Sequence, residues 1–313
     1  MKNLAPIVLF VYNRPFHTQK VIEALQKNRE ATYSDLFIFS DAPKKEDASE
    51  KVEQVRNYIK TISGFKSVTI KEQTQNQGLA KSIINGVTEV VNKFGKIIVL
   101  EDDIETSPYF LKFMNDALSF YENEKQIWSI TGFAYPIENK KLPAAFCFFA
   151  MCCWSWGTWA DRWKHYDKNP DKYILQMSKK DINRFDYHNT TGMFSQITAN
   201  KTGELNTWAI FWYAVQFVNR GFQIMPTKPL AKNIGMDNSG VHCKATSIYD
   251  YKYNENELQI DFNNVPIKEN KLATKLICNF FRKQKPKQNI IKPIVCKIVG
   301  KQIINRIKLL LKE

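Results

Sequence analysis

Two rhythms of apolar residues alternate along the first 125 positions of this chain. Short, largely apolar runs recur at PIVLFVY (6–12), DLFIFSDAP (35–43), SVTIKEQ (67–73) and IIVLEDD (97–103). Their continuity suits strands buried on both faces of a parallel sheet. Between them the apolar positions follow helical spacing. Val21, Ile22 and Leu25 share one face of a stretch over residues 17–27, and a charged helix is expected over 44–61. NQGLAKSIINGVTEVVNKFG (76–95) places apolar residues at 79, 83, 84, 87, 90 and 91. SPYFLKFMNDALSFYENE (107–124) opens with Ser-Pro, which predicts an N-cap followed by proline at the first helical position. Strands that alternate with helices predict an α/β fold with a mostly parallel, doubly wound sheet.

Beyond residue 125 the rhythm loosens. Residues 146–163 are dense in Trp, Phe and Cys, and 164–205 are polar, as in loops and short helices. TWAIFWYAVQFVNRGF (207–222) has helical periodicity and stops at Gly221. MPTKPLAKNIGMDNSGVHC (225–243) is rich in Gly, Pro and Asn, which predicts a long ordered loop. Residues 244–267 are polar and carry no chemistry that can be named.

Composition narrows the picture. A chain of 313 residues with 13% aromatics buries a sizeable core and is not a disordered protein. The most apolar stretch, 146–160, is too short and too rich in Trp and Cys for a bilayer span. The N-terminal MKNLAPIVLFVYNRP lacks a small-residue cleavage site and reads as the first strand, so a cytoplasmic protein is expected. The six cysteines form neither a CxxC pair nor a zinc spacing, so buried free thiols are expected.

The net charge of +14 is unevenly spread: from Lys268 onward there are 13 Lys/Arg and 2 Glu. The body is therefore only mildly basic, which argues against a nucleic-acid partner and for a local electrostatic anchor. Residues 288–312 approximate a basic amphipathic helix, the type that lies on an anionic membrane surface. The location expected is peripheral, on the inner face of the membrane. A helix docked on the domain or on a partner subunit is the alternative.

Candidate chemistry gathers at strand ends. The first strand ends in Asn13-Arg14, the second in Ser40-Asp41, and the fourth in Glu101-Asp102-Asp103. In a doubly wound sheet such ends line one crevice. Arg14 offers a fork of donors to a phosphate, and Asp41 can accept from a base or ribose. Asp102 and Asp103 suit a hard divalent cation that also holds phosphate oxygens. Asn76, Gly78 and Lys81 open a helix, where backbone N–H groups favour an anion. Each has a plainer reading: solvated acids, a surface ion pair for Arg14, a turn at 76–78.

In this order, PIVLFVYNRP, FIFSDAP, NQGLAKSIINGV and VLEDDIETSPYFLKFMNDAL resemble nucleotide-sugar glycosyltransferases of the GT-A fold. The resemblance is to the N-acetylglucosaminyltransferase I type and its bacterial sugar-transferase relatives. It continues more weakly through CWSWGTWADRW and PLAKNIGMDNSGVHC, and so spans most of residues 5–243. It implies an inverting transferase that takes a UDP-sugar with Mn²⁺ or Mg²⁺ and acts on a glycan or lipid-linked acceptor in surface polysaccharide synthesis. Asp103 would be the metal ligand, Asp102 would contact the sugar or ribose, and Glu101 would line the donor site. Arg14 and Asp41 would hold the uridine portion, with Lys81 near the donor. Residues 1–125 would form the donor half, 126–265 the acceptor half of the same domain, and 266–313 the basic tail.

The family pattern carries Asp-Asp-Trp on the acceptor side, where this chain has Asn206-Thr207-Trp208, and an amide cannot serve as a base. Asp237, Glu204 and His242 are the candidates for that role, with Asp237 and Glu204 foremost. Asp237 is equally suited to shape its loop through an Asx-turn. Trp154 or Trp156 can form a sugar-stacking platform or belong to the core, and Gly157 permits close backbone approach. Two other classes fit the same fold. A nucleotidyltransferase should have a Gly-rich N-terminal phosphate loop, which is absent. A non-catalytic glycan- or membrane-binding module is favoured by Asn206 alone.

Overall fold

The computed structural model describes residues 4–237, 248–249 and 251–284. The strand–helix alternation is realised as β1 (Ile7–Val11), α1 (Pro15–Gln26), β2 (Asp35–Ser40), α2 (Ser49–Ile59), β3 (Ser67–Glu72), α3 (Leu79–Phe94) and β4 (Lys96–Glu101). These four strands pair in parallel in the spatial order β3-β2-β1-β4. Chain order therefore reverses between β1 and β4, which opens a crevice at their C-terminal ends. Alternate side chains feed two cores. Val8, Phe10, Ile97 and Val99 point to one, and Ile7, Leu9, Ile98 and Leu100 to the other. Continuous apolar runs are needed because both faces are covered.

After β4 the chain leaves the sheet as β5 (Ile104–Thr106) and returns through α4 (Phe110–Phe120). The Ser-Pro expected to start this helix precedes it instead. The Ser107 N–H is bound to the Leu230 carbonyl (2.8 Å), which keeps Ser107 in the preceding loop, and Tyr109 takes the N-cap position.

The strands β6 (Ile127–Thr131), β7 (Ala145–Phe148), β8 (Trp156–Trp159) and β9 (Phe222–Pro226) extend the sheet to eight, in the order β3-β2-β1-β4-β8-β6-β9-β7. β8 runs antiparallel to β4 and β6, and β7 antiparallel to β9. The sheet is thus mixed but mostly parallel, and it continues across residue 125. Gly157 lets β8 approach β4, since a Cβ there would stand 2.9 Å from the Ile97 carbonyl oxygen. Between β8 and β9 lie α5 (Ala160–Trp163), α6 (Pro170–Gln176), α7 (Lys179–Phe185), α8 (Met193–Thr202) and α9 (Ala209–Val218). α9 is buried almost all round and packs Trp212 against Trp156 and Trp163.

A short strand inside the expected Gly/Pro-rich loop, β10 (Ala231–Asn233), pairs antiparallel with β5. The last described helix is α10 (Lys271–Gln284). It buries Ala273, Ile277 and Cys278, and Asn270 just before it donates to the Cys147 carbonyl (3.0 Å). Residues 266–284, grouped with the basic tail by composition, therefore pack on the body. The amphipathic stretch 288–312 and His242 lie outside the described residues. Cys147, Cys152, Cys153 and Cys278 are free thiols. No helix among the described residues is long and apolar enough to cross a membrane.

Candidate active site

Phe10 of β1 is in register with Glu101 of β4, so the residues after each strand emerge side by side. Pro15 starts α1 at once, and the Thr18 N–H bonds the Arg14 carbonyl (2.9 Å) as the helix begins. This fixes Arg14 at the helix entrance, facing the acidic triplet. Its guanidinium spans both neighbouring carboxylates: Nη2 pairs with Asp102 Oδ1, and Nη1 with Asp103 Oδ2 at 3.0 Å. The other oxygen of Asp102 accepts the Tyr12 N–H (3.4 Å). Asp102 and Asp103 are only 4% and 6% exposed, so water does little to screen them.

One guanidinium faces three acids. Burial, then Asp103 and Asp102, push the Glu101 carboxyl up to about 8, against a smaller opposing pull from Arg14. Burial likewise raises Asp102 despite its ion pair with Arg14. Burial works against the charge of Arg14, but the two carboxylates outweigh it and hold the guanidinium above its ordinary range. The cluster retains an excess of negative charge, which favours a further cation.

The β5–β10 ribbon builds one wall. Asn233 pairs with Ile104, the Ile234 N–H donates to the Asp103 carbonyl (2.8 Å), and the Gly235 N–H donates to Asn233 Oδ1 (2.8 Å). Gly235 lies directly against the cluster. A Cβ there would stand 2.8 Å from Arg14 Nη1 and 2.9 Å from Asp103 Cβ, and would overlap Asp103 Oδ2. Two residues on, Asp237 Oδ2 meets His17 Nε2 at 3.1 Å, and its side chain is 48% exposed. Asp237 is thereby tied to the first turn of α1, the turn that Arg14 enters.

A second cluster forms at the end of β2, around the loop before α3. Asp41 Oδ1 accepts the Ala42 and Gln77 N–H groups (2.9 and 2.8 Å). Its Oδ2 accepts the Gly78 N–H (2.9 Å) and Asn76 Nδ2 (3.1 Å). Asn76 Nδ2 also donates to the Ala42 carbonyl (2.7 Å). Gly78, with φ 74°, takes a left-handed turn that other residues adopt with difficulty. Asp41 thus works as an anionic clamp on the start of α3. Lys81 is exposed on the first turn of that helix, and Asn13 is half-buried beside Arg14.

The aromatic segment runs beside β4. Val99 of β4 pairs with Trp156 of β8, and Cys153, just before β8, is pushed well up by burial, then by Cys152 and by the charge of Glu101. Ser155, fully buried, has a left-handed φ of 53°. Trp156 is core, stacked on Trp208 at 5.4 Å. Trp154 is half-buried and meets Phe133 and Tyr249 edge-on, both at 5.0 Å.

Arg14, Asp102 and Asp103 are therefore brought together, Asp237 is paired with His17 on the first turn of α1, and Asp41 with Asn76 forms a second cluster. Glu204 is exposed in the loop before α9 and shares no described contact with the triplet. Asn206 accepts from Lys168 Nζ. Sequence reasoning missed His17, Gly235 and the Tyr12 N–H. His17 had a legible signal, three residues after Arg14 at the helix entrance. Gly235 had none, because its role depends on the β5–β10 register.

Among the described residues no group of three or more His, Cys, Asp or Glu is arranged to hold a metal. Two buried carboxylates with excess negative charge nevertheless suit a hard divalent ion that takes its remaining ligands from phosphate and water. The donor set fits such an ion.

The GNT-I family matches residues 1–142, which hold β1 to β6, the triplet, Arg14 and Asp41. No curated protein matches the chain. Solved structures similar to it include S. aureus TarS, 12% identical over 72% of this chain and 36% of that one, with a TM-score of 0.40. Its segment 1–349 is 10% identical over 72% and 59% of the two chains, with a TM-score of 0.41. The mannosyltransferase PcManGT from Pyrobaculum calidifontis, in complex with GDP-Man and Mn²⁺, is 9% identical over 70% of each chain, with a TM-score of 0.37. This chain thus spans about a third of the TarS chain. Over residues 1–142 the family match agrees with the resemblance drawn from the motifs in that part of the chain.

Proposed function

We propose that this chain, whose first 142 residues match the GNT-I family, is an inverting, metal-dependent glycosyltransferase. It moves a sugar from a UDP-sugar to a hydroxyl of a glycan or lipid-linked acceptor, in the synthesis of a surface polysaccharide. The observation that carries this reading is the buried Asp102–Asp103 pair, bridged by Arg14 at the switch point of the sheet.

In this reading Asp103 carries the Mn²⁺ or Mg²⁺, Asp102 faces the ribose and sugar, and Glu101 lines the donor pocket. When bound, the metal would neutralise charge on the departing diphosphate. Arg14 supplies bidentate donors to a phosphate, and Asn13 and Lys81 flank the nucleotide. Asp41 and Asn76 hold the uridine side of the crevice. With four hydrogen bonds accepted inside the protein, Asp41 acts through the shape of the 76–78 loop.

Asp237 is favoured over Glu204 as the base. It is exposed enough to meet an acceptor, it stands two residues from the Gly235 contact with Asp103, and His17 fixes its carboxylate. It would take the acceptor's proton as the acceptor oxygen bonds the anomeric carbon and the bond to UDP breaks, inverting that centre. Residues 1–125 would serve the donor and 126–265 the acceptor. The basic segment 285–313 would hold the enzyme on the cytoplasmic face of an anionic membrane.

The test is slow UDP release when the purified chain is incubated with UDP-sugars and Mn²⁺, stopped by EDTA. Asp103→Ala should lower the rate by about 100-fold or more, as for loss of a metal ligand. Failure to bind any nucleotide sugar with metal present sinks the reading. Retained binding with no metal-dependent turnover leaves a glycan- or nucleotide-binding module instead.

A further inference from the structure

We propose that Arg14, by bridging Asp102 and Asp103, makes cation binding at Asp103 conditional on the donor's diphosphate. The inference rests on the nucleotide-sugar reading of this crevice and concerns the order in which the site is filled.

The guanidinium places one terminal nitrogen on each carboxylate. A divalent cation at Asp103 needs the same oxygens and is repelled by the same guanidinium, so the two compete for one place. Arg14 has no room to yield towards β10, because the backbone of Gly235 already stands where not even a methyl group fits beside Arg14 Nη1 and Asp103. Nor can Asp102 simply turn away, since its second oxygen holds the Tyr12 N–H. The Arg14 side chain keeps 17% of its surface exposed, and in a doubly wound sheet a diphosphate would lie beyond the C-terminal ends of β1 and β4.

A diphosphate resolves the competition. Its oxygens offer the guanidinium a bidentate partner in place of the carboxylates, and they complete the coordination of a hard cation. Adding a doubly charged cation and a doubly charged diphosphate together leaves the net charge of the buried cluster unchanged, whereas adding either alone shifts it by two units. Metal and donor therefore enter together.

Mn²⁺ binding, read by electron paramagnetic resonance and by the shift in melting temperature, tests this without turnover. Wild type should bind Mn²⁺ weakly alone and more tightly with UDP. Arg14→Ala should bind Mn²⁺ alone about tenfold tighter than wild type, within the usual range of coupling between sites, and should lose affinity for UDP. Mn²⁺ alone should raise the melting temperature of that variant and leave wild type unmoved. Arg14→Gln, which keeps a long polar side chain, replaces it if the alanine variant does not fold. If the variants bind Mn²⁺ no tighter than wild type while UDP still binds wild type, this inference is overturned and the donor reading stands. If UDP binds wild type under no metal condition, both fall.

Discussion

Glu101 ends β4 in a cluster where three carboxylates share one guanidinium, and its carboxyl is pushed from 4.5 up to about 8, first by burial and then by Asp103 and Asp102. Between those two values the folded chain holds a proton that the unfolded chain has released. Stability from this group is therefore present below pH 4.5 and is lost as pH rises towards 8. Glu101→Gln keeps the shape and cannot ionise. In metal-free buffer at pH 8 it should be more stable than wild type by on the order of 1–3 kcal/mol, the cost of an uncompensated buried group. The gap should shrink as pH falls and vanish near the ordinary carboxylate range. Thermal melts of both proteins across that range would decide it, and a gap independent of pH would show that Glu101 is compensated by something else. At this scale the sequence showed which residues end the strands, but not how they are used. Asp41 was legible as a polar strand end. Its commitment to the N–H groups of Gln77 and Gly78 was not, because those partners lie 36 and 37 residues away.

The elements were legible wherever burial is continuous or periodic, because a strand covered on both faces and an amphipathic helix each leave an unbroken pattern. β1, β2 and α3 fall within the stretches their patterns mark, and β4 begins one residue before its own, at Lys96. The three-residue strands β5 and β10 were not legible, since so short a pairing is set by tertiary contact and leaves no periodicity. That ribbon is nevertheless what lays Ile234 and Gly235 against Asp103. Gly235→Ala tests it. The position requires no left-handed backbone, so the effect is steric: a Cβ meets Arg14 and Asp103 within 3.0 Å. Overpacking of this kind costs about 1–3 kcal/mol. The expected result is a modest fall in melting temperature with a much larger fall in UDP and Mn²⁺ affinity, measured by calorimetry. Unchanged affinity would mean that the ribbon is scaffold rather than site.

At the scale of the whole molecule, composition drew a boundary at residue 266 that packing moves. Charge density marks everything from Lys268 onward as alike, but charge says nothing of which face a helix buries. α10 directs Ala273, Ile277 and Cys278 inward, and Phe281 lies edge-on to Tyr135 and Tyr187 at 5.5 and 5.6 Å. Glu269 at its entrance pairs with Arg184 at 2.9 Å. α10 is therefore part of the body, and the proposed membrane role rests on residues 285–313 alone. That segment holds eight Lys/Arg and one Glu. Each basic residue near an anionic surface contributes about 1 kcal/mol. Two truncations separate the roles. Ending the chain at residue 284 should leave the melting temperature and UDP binding intact while abolishing sedimentation with phosphatidylserine vesicles. Ending it at 270 should destabilise the body by about 3–5 kcal/mol, from the apolar surface that α10 covers. Vesicle binding that survives the shorter deletion would move the membrane contact from the tail to the mildly basic body.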